Sequence, residues 1–506
     1  VAGRGIRVVA GGESVMARGE KITPGPVHLR TASVRIPWSV VLLGWVGRTL
    51  GKGLGRMLGQ PVLWVALTLY LVGYWLAVTV GPWPFVTAAL AVTGALVGWR
   101  QAHRSSFLRW FGWPVRSAWR QRLVYRRGWQ PAMVTCNLAV RVSGREYLPK
   151  LIRVSSTRSV DRVTVRMLPG QVADDYSEVA DRLAQTFDAS DCRVRTDPRH
   201  RDRLILWFLV DDPLTEPVAP YEPGDPDLAA LPVARREDGL TYHLKLLGSH
   251  LLLVAATGAG KSNAIWAIIQ ALAQGVASGV VQLWVCDPKG GMELAPGQQM
   301  FTQFCHGATT DQEHERAAHE HAYAELLEKA VLVMRERQAR LRGVTRLHEP
   351  TTDEPLIVVI VDELAALTAY MTHREAKKRI SAALSLLLSQ GRAVGVLLVA
   401  ALQDPRKDVL PARDLFPTRI ALRLTEPEQV DMVLGARRRG ARCDRIPESL
   451  PGVGYVTLDG VAEPIRVRFA HVTDRHITDL ASRYAPSVDP ADAAEPPLRL
   501  VPGGTG

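Results

Sequence analysis

The segment LLLVAATGAGKS at 251–262 constrains this chain more than any other, because an apolar run feeds straight into a glycine-rich turn that closes on Lys261 and Ser262. The run reads as a buried strand, and a glycine-rich turn lets backbone N–H groups converge on one point. Gly258 and Gly260 supply that freedom, Lys261 reaches the β- and γ-oxygens of a bound phosphate chain, and Ser262 offers its hydroxyl to Mg²⁺. Residues 263–273 read as a helix whose N-terminus lies under the same phosphates. Thr257, Gly258, Ala259, Gly260, Lys261, Ser262 and Asn263 are therefore the nucleotide-binding candidates, with ATP and Mg²⁺ as the implied ligands. The pattern G-x-x-x-x-G-K-[ST] opens on glycine, and that position is Ala255 here, which keeps an apolar strand and turn without a ligand as the alternative.

A second apolar run, LIVVIV at 356–361, ends in Asp362 and Glu363. Strands covered on both faces read as continuous apolar runs of this kind. In ATPases built on a phosphate loop, the first carboxylate completes the Mg²⁺ shell and the second polarises the attacking water. Two such motifs about a hundred residues apart make a chance match a poor explanation for either.

The net charge of +12 points to nucleic acid or an anionic membrane as partner, and its distribution separates the two. From Lys21 to Arg145 there are sixteen Lys and Arg and no Asp or Glu, which leaves the rest of the chain net acidic by four. The basic stretch also holds two uncharged runs, 61–80 and 83–99, with a Gly-Pro-Trp-Pro breaker at 81–84. Each is about long enough to cross a bilayer. Arg48, Lys52 and Arg56 precede the first run, and Arg100, Arg104, Arg109 and Arg116 follow the second. Positive flanks of this kind place both termini in the cytoplasm of a cell-membrane protein. Ten of the thirteen tryptophans fall between Trp38 and Trp129, as in an interfacial belt; a buried helical hairpin is the alternative for the two runs. The Arg/Trp-rich segment 100–127 suits anionic lipid headgroups by its position, and DNA by its chemistry. No cleavable signal peptide is expected, since the first long apolar run starts at residue 61.

Five cysteines, Cys136, Cys192, Cys286, Cys305 and Cys443, contain no C-x-x-C pair and imply neither disulfides nor zinc. His306, His314, His319 and His321 lie in or beside a polar Glu/Ala helix and are expected on a solvated surface.

Strands expected at 163–167 and 204–210 flank a helical stretch at 175–187 and form a small α/β module. Beyond a Pro/Asp-rich connector at 215–226, strands expected at 251–255, 281–286, 357–361, 396–402 and 419–424 alternate with helices. That alternation predicts an α/β fold with a parallel sheet and ligand at the strands' carboxyl ends. The expected organisation is a disordered basic arm (1–33), a membrane anchor (34–130), the module and connector (131–225), the motor (226–484) and a disordered tail (485–506).

With these pieces in order, the chain resembles the FtsK/SpoIIIE family of membrane-anchored DNA-pumping ATPases. The matching elements are HLLLVAATGAGKS at 250–262, Asp287-Pro-Lys289, Val361-Asp-Glu-Leu364, GRAVG at 391–395 followed by Leu402-Gln403, and Pro417-Thr-Arg-Ile420. The resemblance implies a RecA-like P-loop motor that forms a hexameric ring around double-stranded DNA, with nucleotide between subunits. Under it, Lys261 and Ser262 bind phosphate and Mg²⁺, Asp362 completes the metal shell, Glu363 positions water, and Gln403 senses the γ-phosphate. An arginine from the next subunit neutralises transition-state charge, with Arg392 the first candidate and Arg419 the second. The roles of Asp287 and Lys289 stay open.

Two departures bear on function. Val430-Asp431 stands where chromosomal translocases carry Ser-Arg, and the 22 residues after Tyr484 are too few for a winged-helix DNA reader. The smaller build resembles the plasmid-transfer translocases of mycelial actinobacteria. The expected function is therefore ATP-driven translocation of double-stranded DNA in conjugative transfer of a plasmid or integrated element, with other transfer proteins as possible partners. A protein-secretion or coupling ATPase and a nucleotide-dependent membrane scaffold without hydrolysis are the alternatives.

Overall fold

A computed structural model describes residues 83–486, apart from 143, 226, 308–311, 407–411, 436–439 and 459–462, together with scattered positions between 68 and 81. The expected basic arm, the tail beyond 486 and most of the first predicted span at 61–80 lie outside the described residues. The chain divides into two compact units, Val1–Arg104 and Ser105–Gly506.

In the first unit the second predicted span coincides with helix α1, Trp83–Ala102. It does not meet the expectation: among the described residues no helix is long and apolar enough to cross a membrane. The uncharged run is only seventeen residues, so every eighteen-residue stretch of α1 takes in Arg100. Thr87, Thr93, Gly94 and Gly98 dilute the remainder.

The second unit opens with helical segments that include α2, Trp113–Arg120, and α3, Arg126–Thr135, separated by a π-helical turn at Gln121–Tyr125. They bear on the predicted interfacial belt. Trp110 and Trp119 are 72% and 55% exposed, but Trp129 is 7% exposed and packs with Tyr125 against Phe187 and Phe208. The Trp129 indole donates to the Pro149 carbonyl at 2.8 Å, so this tryptophan is a core residue.

After a ribbon of β1 (Val140–Val142) and β2 (Arg145–Tyr147) comes a four-stranded antiparallel sheet. Its strands are β3 (Lys150–Ser156), β4 (Val160–Arg166), β5 (Asp191–Thr196) and β6 (Arg203–Leu209), in the order β3-β4-β6-β5. Buried and more exposed residues alternate along most of β4 and β6, the pattern of a half-covered sheet. Val163, Val165, Leu204, Leu206 and Phe208 face a core shared with α3 and with the short helices Ala173–Glu178 and Ala180–Thr186.

The motor is built on ten strands: β7 (Leu231–Arg236), β8 (Thr241–Leu244), β9 (Leu251–Val254), β10 (Val281–Asp287), β11 (Gln303–His306), β12 (Leu356–Val361), β13 (Val396–Leu402), β14 (Thr418–Leu422), β15 (Val453–Thr457) and β16 (Ile465–Phe469). Their order is β11-β10-β12-β13-β9-β14-β15-β16-β7-β8. The first six run parallel, whereas β14, β15, β16, β7 and β8 are joined by antiparallel pairings. The wholly parallel sheet expected from sequence is thus corrected to a mixed one. Every residue of β12 and β13 is buried, which is why both read as unbroken apolar runs. At roughly 1.5–3 kcal/mol for each buried aliphatic side chain, these strands anchor the domain. Helix α4, Lys261–Ala277, covers one face, while α5, Glu313–Leu341, and α6, Arg374–Gln390, cover the other.

His314 and His306 are exposed as expected, but His319 is only 6% exposed and His321 is half-buried, its ring 4.5 Å from that of His373. Helix α5 turns its His319 side toward the sheet, a helical phase that polarity alone conceals. Among the described residues no group of three or more His, Cys, Asp or Glu could hold a metal. All five cysteines are buried and free.

Candidate nucleotide-binding site

The phosphate loop begins where β9 ends. Its glycines are conformationally required: Gly258 and Gly260 have φ of +72° and +92°, and a Cβ on Gly260 would come within 2.6 Å of the Gly452 nitrogen. Ala255, by contrast, is fully buried and is not among the residues with positive φ, and its N–H continues the strand pairing to the Leu402 carbonyl at 3.1 Å. The departure at the first motif position is therefore accommodated, because this backbone has no need of glycine.

Sheet register sets the rest of the site. β13 lies between β9 and β12, with Leu402 paired to Val254 and Ala400 to Val361. Gln403, Asp362 and Glu363 therefore emerge beside the loop at the carboxyl ends of adjacent strands. The Lys261 ammonium, 8% exposed, donates to the Asp362 carbonyl at 2.5 Å and lies 3.1 Å from Asp362 Oδ1 and 3.5 Å from Glu363 Oε2. Lys289 brings a second ammonium, 3.9 Å from Asp362 Oδ2 and 3.4 Å from Glu363 Oε2. Burial works against the charge on Lys289, but Asp362 and Glu363 outweigh it and raise its pKa. Asp287 shapes the turn that delivers Lys289, its carboxylate accepting from the N–H groups of Lys289 at 3.1 Å and Leu294 at 3.2 Å. Burial, then the nearby Asp362, pushes the Asp287 carboxyl above its ordinary range.

Both Asp362 oxygens and Glu363 Oε2 are buried without a hydrogen-bond donor, although the lysines lie near. The two lysines balance their charge without aligned hydrogen bonds, which leaves carboxylate oxygens that fit a cation at the loop. Mg²⁺ binds through one or two carboxylates with phosphate and water oxygens making up the shell. Asp362, together with the Ser262 hydroxyl at the first turn of α4, fits an ion brought in with phosphates.

The remaining candidates distribute unevenly. Glu363 Oε1 accepts the Gln403 backbone N–H at 3.3 Å, while the Gln403 side chain is exposed. Asn263 is committed elsewhere: its amide donates to the Ala470 carbonyl at 2.7 Å and accepts from the Val472 N–H at 2.7 Å, tying α4 to the end of β16. Arg392 is exposed at the amino end of β13, the far end from the phosphate loop. A seven-residue strand separates the two by on the order of 20 Å, so Arg392 is not brought to this chain's own loop. Arg419 donates to the carbonyls of Phe416 at 3.0 Å and Val433 at 3.2 Å.

Sequence reasoning missed Arg423. Its carbonyl accepts the Ala256 N–H at 2.9 Å and its guanidinium donates to the Thr257 carbonyl at 2.9 Å, so one residue grips both sides of the loop's first turn. The two partners are 166 positions apart, and no local pattern signals the contact.

A strand, a phosphate loop on left-handed glycines, a helix N-terminus and a carboxylate pair one strand away define a P-loop ATPase. The FtsK/SpoIIIE family model matches residues 225–349, which lie within the motor. It is 27% identical over 401 residues to the transfer protein TraSA of Streptomyces ambofaciens, a match covering 74% of this chain and 91% of that protein. It is 25% identical over 373 residues to the DNA translocase SftA of Bacillus subtilis, covering 67% of this chain and 36% of SftA, so it spans about a third of that relative. Among solved structures, the pCW3 conjugation coupling protein TcpA is similar with a TM-score of 0.43 at 19% identity, covering 70% of this chain and 98% of that one.

Proposed function

We propose that this chain is an ATP-driven translocase of double-stranded DNA that acts in conjugative transfer of a plasmid or integrated element. The observation that carries the reading is the convergence of Lys261, Asp362 and Glu363 at the carboxyl ends of neighbouring central strands, with three buried carboxylate oxygens that make no aligned hydrogen bond. A scaffold that only binds nucleotide has no need of Glu363 beside the phosphate loop. The likeness to TraSA over nine-tenths of that protein supports transfer as the setting.

In this reading the loop N–H groups and Lys261 hold the phosphates, Ser262 and Asp362 hold Mg²⁺, and Glu363 orients the attacking water and draws off its proton. Mg²⁺ bound there would neutralise charge on the phosphate oxygens. Gln403 faces the γ-phosphate. Arg392, remote from its own loop, serves the site of the next subunit in a homo-oligomeric ring, in keeping with a hexamer. The membrane holds the motor on its cytoplasmic side through the N-terminal region, where the 61–80 run and the neighbouring arginines support attachment.

ATP turnover by the purified chain with and without long double-stranded DNA tests the reading. Strong stimulation that weakens with salt, and its absence in Lys261→Ala, is the expected result. Stimulation by a peptide but not by DNA would move the assignment to a secretion ATPase.

A further inference from the structure

We propose that the outward face of the small four-stranded sheet is a second DNA contact, a platform for the phosphate backbone outside the motor; this rests on the translocase reading above. Strand alternation turns Asp161, Val163 and Val165 of β4 and Leu204, Leu206 and Phe208 of β6 toward the helices, all of them fully buried. The other parity faces outward. There the register sets Arg162 opposite Trp207, Thr164 opposite both Arg153 and Ile205, and Arg166 opposite Arg203. Arg153 is thus the diagonal neighbour of both Arg162 and Arg166, at about 7–8 Å between backbone positions.

Like charges directly opposite one another destabilise a sheet, and Arg166 and Arg203 are so placed. Asp202 relieves one corner, 3.0 Å from Arg166 and 4.0 Å from Arg203. Arg162 is held differently. Its guanidinium lies 4.2 Å from the centre of the Trp207 ring, and that of Arg195 lies 3.7 Å from it. A cation–π contact fixes a guanidinium without neutralising its charge, which leaves the cation available to an anion. Arg153 and Arg162 are both exposed, and neither forms an ion pair among the described residues. The β5 side of the same face is occupied: Arg193 pairs with Glu237 at 2.7 Å and Arg195 with Glu463 at 2.7 Å, both carboxylates belonging to the motor. The open half is therefore a row of cations around a half-buried tryptophan, complementary to a polyanion and carrying no base-reading pattern.

The test is equilibrium binding of the full chain to a labelled random-sequence duplex across a salt series, beside Arg153→Glu with Arg162→Glu. The double variant should bind at least tenfold more weakly at fixed salt, and the slope of log K against log salt should fall by about two, near 0.9 for each phosphate no longer neutralised. Arg153→Lys with Arg162→Lys should retain most of the affinity, because backbone neutralisation needs charge more than a planar fork. Thr164→Glu keeps every arginine but sets a carboxylate among them, and should weaken binding even if the double variant fails to fold. Wild-type affinity and slope in a folded double-Glu variant would overturn the proposal. So would loss of binding to phosphatidylserine vesicles with duplex binding intact, which would assign the face to a membrane. A wild-type chain that binds no duplex would instead sink the translocase reading itself.

Discussion

Two buried charge clusters in this chain treat their ions in opposite ways. Between the small module and the motor, all three guanidinium nitrogens of Arg193 are used: Nη1 on Glu237 at 2.7 Å, Nε on Asp191 at 3.2 Å and Nη2 on the Tyr455 hydroxyl at 3.2 Å. At the phosphate loop, Lys261 and Lys289 crowd Asp362 and Glu363, yet three carboxylate oxygens receive no hydrogen bond. A completed network holds two parts of the structure together. An incomplete one keeps atoms ready for something that is not part of the chain.

The largest expected effect is on turnover. Glu363→Gln should lower ATP hydrolysis by roughly 10²–10⁴-fold, the usual contribution of a general base, while leaving thermal stability equal or improved. A large loss of stability would mean that this cluster is structural after all. The converse change is Arg193→Met, which leaves Glu237 only the longer 3.8 Å pairing with Arg195 and should cost about 3 kcal/mol of stability with little change in turnover per folded molecule. Adding Glu237→Leu should recover much of that loss, as measured by denaturant unfolding.

His250 adds a third case, a buried group outside both clusters. Burial first, and the nearby Arg392 second, lowers its pKa to about 4, and its Nδ1 accepts the Leu398 N–H at 3.0 Å. A base with a depressed folded pKa contributes stability that is complete above its unfolded value and is lost as the pH falls toward the folded one. Between pH 6.5 and 4 this amounts to about 3 kcal/mol, and the difference between wild type and His250→Gln in pH-dependent unfolding measures it. The smallest effect belongs to Ala255→Gly, which restores the usual first motif residue. It should cost about 1 kcal/mol in backbone entropy and packing and leave turnover unchanged, since Ala255 already sits comfortably in strand geometry.

The contrast also explains what the sequence could disclose. The strands β9, β10, β12, β13 and β14 were legible to within a residue or two because strands covered on both faces are largely apolar, without a break in β9, β12 and β13 and with few polar residues in β10 and β14. β15, β16, β7 and β8 went unpredicted: IRVRF at 465–469 and LPVARR at 231–236 mix arginine into short strands, and their charges find partners far along the chain. Arg466 pairs with Asp212 at 2.7 Å, and Arg468 donates to the Leu214 carbonyl at 2.9 Å. The same holds for the site. Lys261, Asp362 and Glu363 announce themselves by position at strand ends, whereas the grip of Arg423 on the loop and the commitment of Asn263 to residues 470–472 exist only in three dimensions.

Whether the incomplete cluster awaits nucleotide is decided by thermal unfolding of the full chain with a non-hydrolysable ATP analogue, with and without Mg²⁺. A ligand at a hundred times its Kd stabilises the folded state by about 2.7 kcal/mol. The melting temperature of the wild-type chain should rise only when Mg²⁺ accompanies the analogue, and the rise should disappear in Lys261→Ala. No rise in the wild type, or an equal rise in Lys261→Ala, would show that the carboxylates are not held for nucleotide.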